Sequence, residues 1–212
     1  MSEWHDNVPG LIETFYPGQE GGNALADIIF GDVNPSGKLP ITFAKQWEDS
    51  PAFTTYPGKK EDVFYEEGIY VGYRHYDKNY IEPLFPFGFG LSYKRFNYSD
   101  LKISSYEISQ NDTVTVKVSI KNSGNKAGDE VVQLYLRDVE ATVDREVKSL
   151  KGFKRVSLNS GESKTVTFKL NESDFSFYSE KKKKWIAEPG KFKILIGSSS
   201  RDIKLVGEFQ LN

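Results

Sequence analysis

The sequence predicts a mixed fold, in which the last piece of an α/β layer is followed by an all-β sandwich of immunoglobulin-like type. Three observations predict it. Residues 1–45 carry a short apolar helical stripe between turn signals, residues 46–95 are irregular and rich in aromatic side chains, and residues 96–212 alternate between apolar and polar side chains. We therefore expect a helical piece, a connecting strap (residues 46–95) and a β domain.

Residues 1–45 contain one predicted helix. Asn23 is suited to cap its N-terminus, and Gly31 is suited to the left-handed conformation just past its end. The apolar residues between them fall on one helical face: Ala24, Leu25, Ile28 and Ile29. A turn at 32–37 leads to a strand-like run at 39–43. One helix and one or two strands cannot enclose a core, so we expect this piece to belong to a larger α/β layer.

The strap combines aromatic rings with glycine and proline in two stretches, 64–77 and 83–93. A flexible linker is usually polar, and this composition is unlike one. Burial of each ring contributes about 1.5–3 kcal/mol, so we expect the rings to be buried against something large. The pattern is typical of a segment that lies across a bigger neighbour.

Residues 96–212 show the two-residue period of half-buried strands. The apolar positions form four runs: Val114, Val116, Val118 and Ile120; Val132, Leu134 and Leu136; Val166, Phe168 and Leu170; and Phe192, Ile194 and Ile196. Turn signals at 122–124, 159–161 and 189–190 separate the runs. Several short strands over roughly 100 residues predict a β-sandwich, without fixing the order of its strands.

The bulk composition excludes several kinds of site. Net charge is −2 with interspersed signs, which gives no electrostatic reason to expect nucleic acid or an acidic membrane surface as a partner. The one basic run, 181–184, is predicted to be a solvated turn. Cysteine is absent, so disulfides and thiolate chemistry are excluded. No apolar run approaches the ~18 residues of a membrane helix. Secreted, periplasmic and cytoplasmic locations all stay open.

Candidate metal and phosphate sites are weak. His5 and His75 are the only histidines, and no ligand spacing relates them, so we expect no metal site and expect His75 to pack among Tyr73 and Tyr76. The glycine-rich segment 18–22 precedes the helix, but it lacks the Lys-Ser/Thr of a phosphate loop and contains a glutamate. A structural turn is expected there. No catalytic, cofactor-binding or metal-binding residue is assigned, and no cofactor is expected.

Two adjacent carboxylates, Glu66 and Glu67, stand among aromatic residues. A retaining glycosidase needs two carboxyl groups about 5–5.5 Å apart across a sugar. Neighbours on an extended backbone point to opposite faces, so these two are not expected to act as such a pair. One of them, or Asp77, could instead line a sugar site beside Tyr65 or Tyr70. The alternative is an ordinary packed strap.

Five long motifs stand in order along nearly the whole chain: YPGQEGG at 16–22, FGDVNPSGKLP at 30–40, EGIYVGYR at 67–74, PLFPFGFGLSY at 83–93 and LKGFKRV at 150–156. Together they resemble the C-terminal part of glycoside hydrolase family 3, the β-glucosidase family. By this resemblance, residues 1–45 are the C-terminal piece of the family's α/β sandwich domain. Residues 96–212 are its fibronectin type III-like domain.

The resemblance implies an enzyme that hydrolyses O-glycosidic bonds of β-linked glycosides and retains configuration. Family members take an Asp nucleophile from a barrel domain and usually a Glu acid/base from the α/β domain, and both precede the stretch that matches here. We therefore expect a stretch that is inactive alone and whose partners are the missing barrel and α/β regions and, in the whole enzyme, a glycoside. Met1 matches an internal family position just before Trp4, which favours a fragment or a truncated gene model.

Two other functions are compatible with the same residues. One is a stand-alone fibronectin-like module that binds a carbohydrate or a partner. The other is a non-catalytic subunit of a split hydrolase, which completes a separate chain carrying the barrel. In the enzyme, the sandwich domain is expected to be structural and to hold the strap and the α/β domain in place.

Overall fold

The structure is a computed structural model that describes residues 3–212. Met1 and Ser2 lie outside the described residues, and so does the prediction made for Met1. The helices of the described chain are α1 (Gly21–Phe30), α2 (Tyr73–Lys78) and α3 (Glu172–Phe175). Its strands are β1 (Phe96–Ile103), β2 (Glu107–Ile108), β3 (Val114–Asn122), β4 (Gly128–Asp138), β5 (Ser149–Leu158), β6 (Ser163–Leu170), β7 (Phe177–Ser179), β8 (Lys184–Ile186), β9 (Gly190–Gly197) and β10 (Ile203–Leu211).

The strands form a sandwich of two main sheets. One sheet has the order β1-β3-β6 and the other has the order β2-β10-β9-β4-β5, while β7 and β8 pair separately. The inward-facing side chains of both sheets meet in one apolar core, to which β3 and β6 contribute from one side and β4, β9 and β10 from the other. The β-sandwich predicted for this part of the chain is confirmed, and the mixed fold with it.

The four alternating runs supply most of this core because every second side chain points inward. On β3, Val114, Val116, Val118 and Ile120 are completely buried. At the end of the sandwich where α3 lies, three phenylalanines fill the space between the sheets. Phe192 stacks on Phe209 with ring centroids 5.4 Å apart, and Phe175 packs against both rings.

Helix α1 starts earlier than predicted. Glu20, and not Asn23, occupies the N-cap position, so the prediction for Asn23 is wrong. Asn23 lies inside the first turn, where its amide Nδ2 donates to Glu20 Oε2 at 2.6 Å. Gly31 ends the helix as predicted, in the left-handed conformation with φ 77°. No residue of α1 is buried, and its apolar stripe is only partly covered within the described chain, since Leu25 and Ile28 are half-buried while Ala24 and Ile29 are exposed.

The strand predicted at 39–43 is not formed. Phe43 makes only an isolated bridge with Phe85, and Leu39 exchanges backbone hydrogen bonds with Gly88 and Phe89. Pro40 has no N–H to donate, and the segment opposite is irregular, so a regular ladder cannot propagate. These bonds nevertheless tie the first piece of the chain to the strap.

Large apolar side chains before residue 96 are mostly exposed. Tyr16 is 100% exposed, Tyr80 92%, Tyr65 81% and Phe30 80%. Among the large hydrophobic residues between positions 3 and 95, only Tyr76 is buried. The predicted burial of the strap's rings against a larger neighbour is therefore not achieved inside the described chain. None of the described helices is long and apolar enough to span a membrane.

Candidate functional site

The candidate site lies where the strap meets the sandwich. We call it the strap joint and define it by six residues: Tyr73, Asp77, Gln133, Tyr135, Lys148 and Arg201. Two of them stand on α2 and two on β4. Lys148 immediately precedes β5, and Arg201 lies in the turn between β9 and β10. The joint therefore collects side chains from the strap and from three parts of the larger sheet: β4, the start of β5 and the turn between β9 and β10.

Asp77 is the buried carboxylate of the strap joint. Its side chain is 4% exposed and lies between two cations: Lys148 Nζ donates to Oδ2 at 2.5 Å, and Arg201 Nε lies 3.1 Å from Oδ1. Burial lowers the pKa of Lys148, and the carboxylate of Asp77 opposes that effect. Both of its oxygens are paired with protein cations, which favours the alternative of an ordinary packed strap; a sugar contact of Asp77 stays a prediction.

Arg201 also fixes the end of α2. Its guanidinium Nη2 donates to the carbonyl oxygens of Tyr76 at 3.1 Å and Ile81 at 3.0 Å. One side chain from the sandwich thus satisfies a carboxylate and two carbonyl groups of the strap. Because these bonds join α2 and the segment after it to the turn between β9 and β10, they help to hold the strap in one position.

Tyr73 forms the aromatic part of the joint. Its ring stacks on Phe87 at 4.9 Å and meets Tyr135 edge-on at 5.9 Å. Its hydroxyl oxygen accepts a hydrogen bond from the backbone N–H of Leu150 at 2.9 Å. Tyr135 is completely buried, and that burial raises the pKa of its hydroxyl. Tyr135 is therefore the buried packing element of this ring cluster.

Gln133 completes the joint with its amide. The Nε2 group donates to the carbonyl of Gly88 in the strap at 3.1 Å and to that of Ser198 in the sandwich at 2.7 Å. Its Oε1 accepts from the hydroxyl of Tyr135 at 2.5 Å. Every polar atom of this buried side chain is used, which is the condition for a buried polar group to be stabilising.

A second contact ties the first piece of the chain to the sandwich. Lys38 Nζ lies 3.2 Å from Glu130 Oε1 and donates to the carbonyl of Gly90 at 2.9 Å, and both charged side chains are largely buried. The two chain segments approach so closely that a Cβ on Gly90 would lie 2.1 Å from the carbonyl oxygen of Gly37. Only glycine fits there without moving the backbone.

The adjacent carboxylates of the strap lie outside the joint. Glu66 and Glu67 are in a turn that is closed by a hydrogen bond from the N–H of Tyr70 to the carbonyl of Glu67 at 2.9 Å. The extended backbone expected there is therefore not present. Glu66 and Tyr65 are exposed, and the hydroxyl of Tyr70 donates to the carbonyl of Arg145 at 3.2 Å. Tyr70 is a contact of the strap with the sandwich.

The two histidines pack against aromatic rings, and the glycine-rich segment forms a turn. His75 meets the ring of Tyr76 edge-on at 5.6 Å, as predicted for one of its two expected neighbours. His5 lies edge-on to Phe85, 6.2 Å away. Within residues 3–212 no group of three or more potential ligands could hold a metal ion. The segment 18–22 contains a turn in which the N–H of Gly21 donates to the carbonyl of Gly18 at 3.3 Å.

Sequence reasoning missed four residues of the joint: Gln133, Tyr135, Lys148 and Arg201. One signal for Gln133 is present, since it interrupts the apolar run Val131-Val132-Gln133-Leu134 in β4. A polar residue inside such a run is expected to be buried with partners. Lys148 and Arg201 carry no comparable signal, because each meets Asp77 only through the tertiary fold.

The arrangement of the strap joint can position the strap, but it does not provide the groups for a hydrolytic reaction. Glycoside hydrolysis by the two-carboxylate mechanism requires a second carboxyl group across the sugar from the first. Asp77 faces two cations instead, and aromatic rings fill the space beside it. The joint can therefore hold the strap rigidly, but it cannot perform that reaction.

Comparisons with known proteins cover almost the whole chain. The family model for the glycosyl hydrolase family 3 C-terminal domain matches residues 1–73, and the model for the fibronectin type III-like domain matches residues 130–200. The thermostable β-glucosidase B of Acetivibrio thermocellus is 49% identical over 209 residues, which are 99% of this chain and 28% of that protein. The β-glucosidase BoGH3A of Bacteroides ovatus is 43% identical over 95% of the chain and 27% of its own length.

Solved structures that are similar to this chain are also β-glucosidases. The GH3 β-glucosidase of Bifidobacterium adolescentis superposes with a TM-score of 0.94 at 40% identity, covering 99% of this chain and 31% of that one. The Kluyveromyces marxianus β-glucosidase, solved in complex with glucose, superposes with a TM-score of 0.91 at 41% identity over 99% of this chain and 25% of its own. The chain thus spans less than a third of the length of these relatives.

Proposed function

The chain belongs to glycoside hydrolase family 3, and from this premise we propose that it forms the C-terminal portion of a β-glucosidase-type enzyme that hydrolyses O-glycosidic bonds. The observation that carries the proposal is the bare apolar surface of residues 3–95. This part includes the match to the family's C-terminal domain, yet its large side chains are exposed. Exposed apolar surface of this extent marks a place where another part of a protein packs.

The role we propose for this portion is structural. The strap and α1 pack on the α/β and barrel regions of the enzyme, which are its partners, and the sandwich holds the strap through the strap joint. The glycoside substrate binds to those other regions, which also supply the catalytic Asp and Glu. No residue of this chain is assigned a catalytic role, and the chain alone is expected to be inactive.

The domain boundaries at 45 and 95 stay predictions. The contacts of the strap joint support one refinement. Since α2 and the segment after it are tied to β4, β5 and the turn before β10, we propose that residues 73–95 fold together with the sandwich. Residues 3–72 contact this unit at points such as Lys38 and Tyr70, and the rest of their apolar surface would then depend on the remainder of the enzyme for cover.

A fusion tests the proposed function. The part of the Acetivibrio thermocellus β-glucosidase that this chain does not match is joined to this chain in place of its own matching segment. We expect the fusion to hydrolyse an aryl β-glucoside and the isolated chain to give no turnover, because the carboxylate pair that carries the rate enhancement lies in the other part. The native Acetivibrio thermocellus enzyme is the positive control.

Two outcomes would contradict the proposal. One is hydrolysis by the isolated chain that disappears when Glu66 or Glu67 is replaced by glutamine. The other is a soluble, folded fusion with no activity. If activity also returns when the two parts are expressed as separate chains, the split-hydrolase alternative gains support, and the positioning role of this chain is the same.

A further inference from the structure

A small aromatic surface lies on the hairpin β7–β8, away from the strap joint. The two strands pair only with each other, and Tyr178 stands directly opposite Trp185 across the pair. Their rings meet edge-on, with centroids 5.9 Å apart and planes at 71°. Tyr178 is 48% exposed and Trp185 67%. We call these two side chains the hairpin surface.

The opposite face of the hairpin is anchored. The Arg145 guanidinium lies over the ring of Phe177 at 5.4 Å and is itself paired with Asp138 at 2.9 Å, where both side chains are buried. Just after the hairpin, the carbonyl of Ala187 accepts a hydrogen bond from the amide of Gln110 at 3.1 Å. Because its base is held from both sides, the hairpin surface is presented to solvent on a fixed support.

The size of the hairpin surface argues against a separate protein as its partner. An aromatic side chain buries about 150–250 Å², so two rings cover at most about 500 Å². A specific protein interface needs about 800 Å² on each partner. The turn beside the rings is also hydrophilic, since Lys181, Lys182 and Lys183 are all exposed there, as predicted for this basic run; Lys184 is exposed too, but it begins β8 and does not belong to the turn. Covering the hairpin with protein would require removing these ammonium groups from water.

The same features match a sugar. A β-linked glucosyl unit is nearly flat, carries axial C–H bonds on both faces and has all its hydroxyl groups at the rim. An aromatic face can stack on the C–H bonds, while neighbouring ammonium groups donate to the hydroxyl oxygens. Two rings at a steep angle form a corner that holds one such unit on two sides.

We propose that Tyr178 and Trp185 form a carbohydrate-contact site for a β-linked gluco-oligosaccharide. Trp185 stacks on one glucosyl unit, Tyr178 contacts its edge, and the lysines of the turn donate to its hydroxyl groups. The site goes beyond the proposed function, because it gives the sandwich a sugar contact of its own. Its role is to retain a longer substrate on the enzyme, and it takes no part in bond cleavage.

Titration of the isolated chain with cellotetraose tests the proposal, with tryptophan fluorescence and sugar proton NMR as readouts. We expect saturable binding that Trp185→Ala weakens at least ~10-fold, as truncation of an aromatic anchor does. Phe153→Ala is the matched control, since Phe153 is also 67% exposed but stands on β5, and it should bind like the parent chain. Trp185→Phe should keep part of the affinity. Circular dichroism establishes that each variant is folded.

Sugar stereochemistry sharpens the test. β-1,4-Mannotetraose carries an axial hydroxyl on one of the two faces of each unit, so only the other face is left to stack, and we expect it to bind more weakly than cellotetraose. Three results would overturn the proposal: no binding of cellotetraose, binding that survives Trp185→Ala, or protection of Trp185 from a soluble quencher in the enzyme fusion without sugar. The last result would mean that protein covers the hairpin. None of these results bears on whether the fusion hydrolyses a glucoside.

Discussion

Replacing Asp77 by alanine is expected to lower the free energy of unfolding of the chain by about 3–5 kcal/mol, the usual cost of leaving a buried charge without its partner. The Lys148 side chain is 9% exposed, and burial already disfavours its charged form. Without Asp77, that charge would have no carboxylate beside it. Arg201 would lose the same carboxylate, although its greater exposure lets water compensate in part. Urea unfolding measures the change, and hydrogen exchange over α2 shows whether the strap detaches.

A second variant distinguishes the effect of an unpaired buried charge from the effect of lost side-chain packing. Asp77→Leu combined with Lys148→Met removes both members of the buried pair, and we expect it to recover most of the lost stability, because a buried ion pair is often replaceable by apolar groups. Lys78→Ala is the control, since Lys78 pairs with Asp144 at 2.6 Å on the exposed surface. Its effect should be small. An Asp77→Ala variant as stable as the parent chain would show that the joint does not hold the strap.

Replacing Phe192 by alanine is expected to cost about 3–5 kcal/mol, the range for a large aromatic residue removed from a packed core. The Phe192 ring is completely buried between Phe175 and Phe209, so the cavity left behind is lined by rigid rings and by both sheets. Thermal and urea unfolding measure the loss. Unlike the Asp77 change, this one should weaken the whole sandwich and not only the attachment of the strap.

Phe153→Ala is the matched control for the core prediction as well. Its ring is 67% exposed on β5, and surface substitutions usually stay within about 0.5 kcal/mol. Equal losses for Phe192→Ala and Phe153→Ala would contradict the position of the core. A loss for Phe192→Ala below ~1 kcal/mol would do so too, because the site would then have to collapse almost completely.

The sandwich was predictable where its strands alternate cleanly. The four apolar runs correspond to β3, β4, β6 and β9, whose inward side chains face the opposite sheet. Strand β10 was missed, because Gly207 interrupts its inward positions and Val206 is 59% exposed on the outside. Strand β5 was missed because it is an edge strand with mostly accessible side chains. Periodicity fails where an inward position lacks an apolar side chain or where most of a strand stays accessible.

The strap joint was predictable only in part. The aromatic density of the strap indicated packing, and Tyr73 does pack against Phe87 and Tyr135. The role of Asp77 could not be derived, since its two cationic partners come from distant parts of the chain and one carboxylate looks like another in sequence. The exposure of the aromatic rings before α2 could not be predicted for the same reason, since it depends on which other part of the chain packs against them. A sequence indicates that rings need cover, but it does not indicate whether the cover is in the same stretch of chain.

The most direct test of the central claim, that the rest of the enzyme covers residues 3–72, is the accessibility of Trp47. In the described chain Trp47 is 51% exposed, and its ring meets those of Phe53 and Tyr56 edge-on. With Trp4 and Trp185 replaced by phenylalanine, and the other part of the fusion freed of tryptophan, acrylamide quenching reports Trp47 alone. We predict strong quenching in the isolated chain and several-fold weaker quenching in the active fusion. Equal quenching in both would contradict the account.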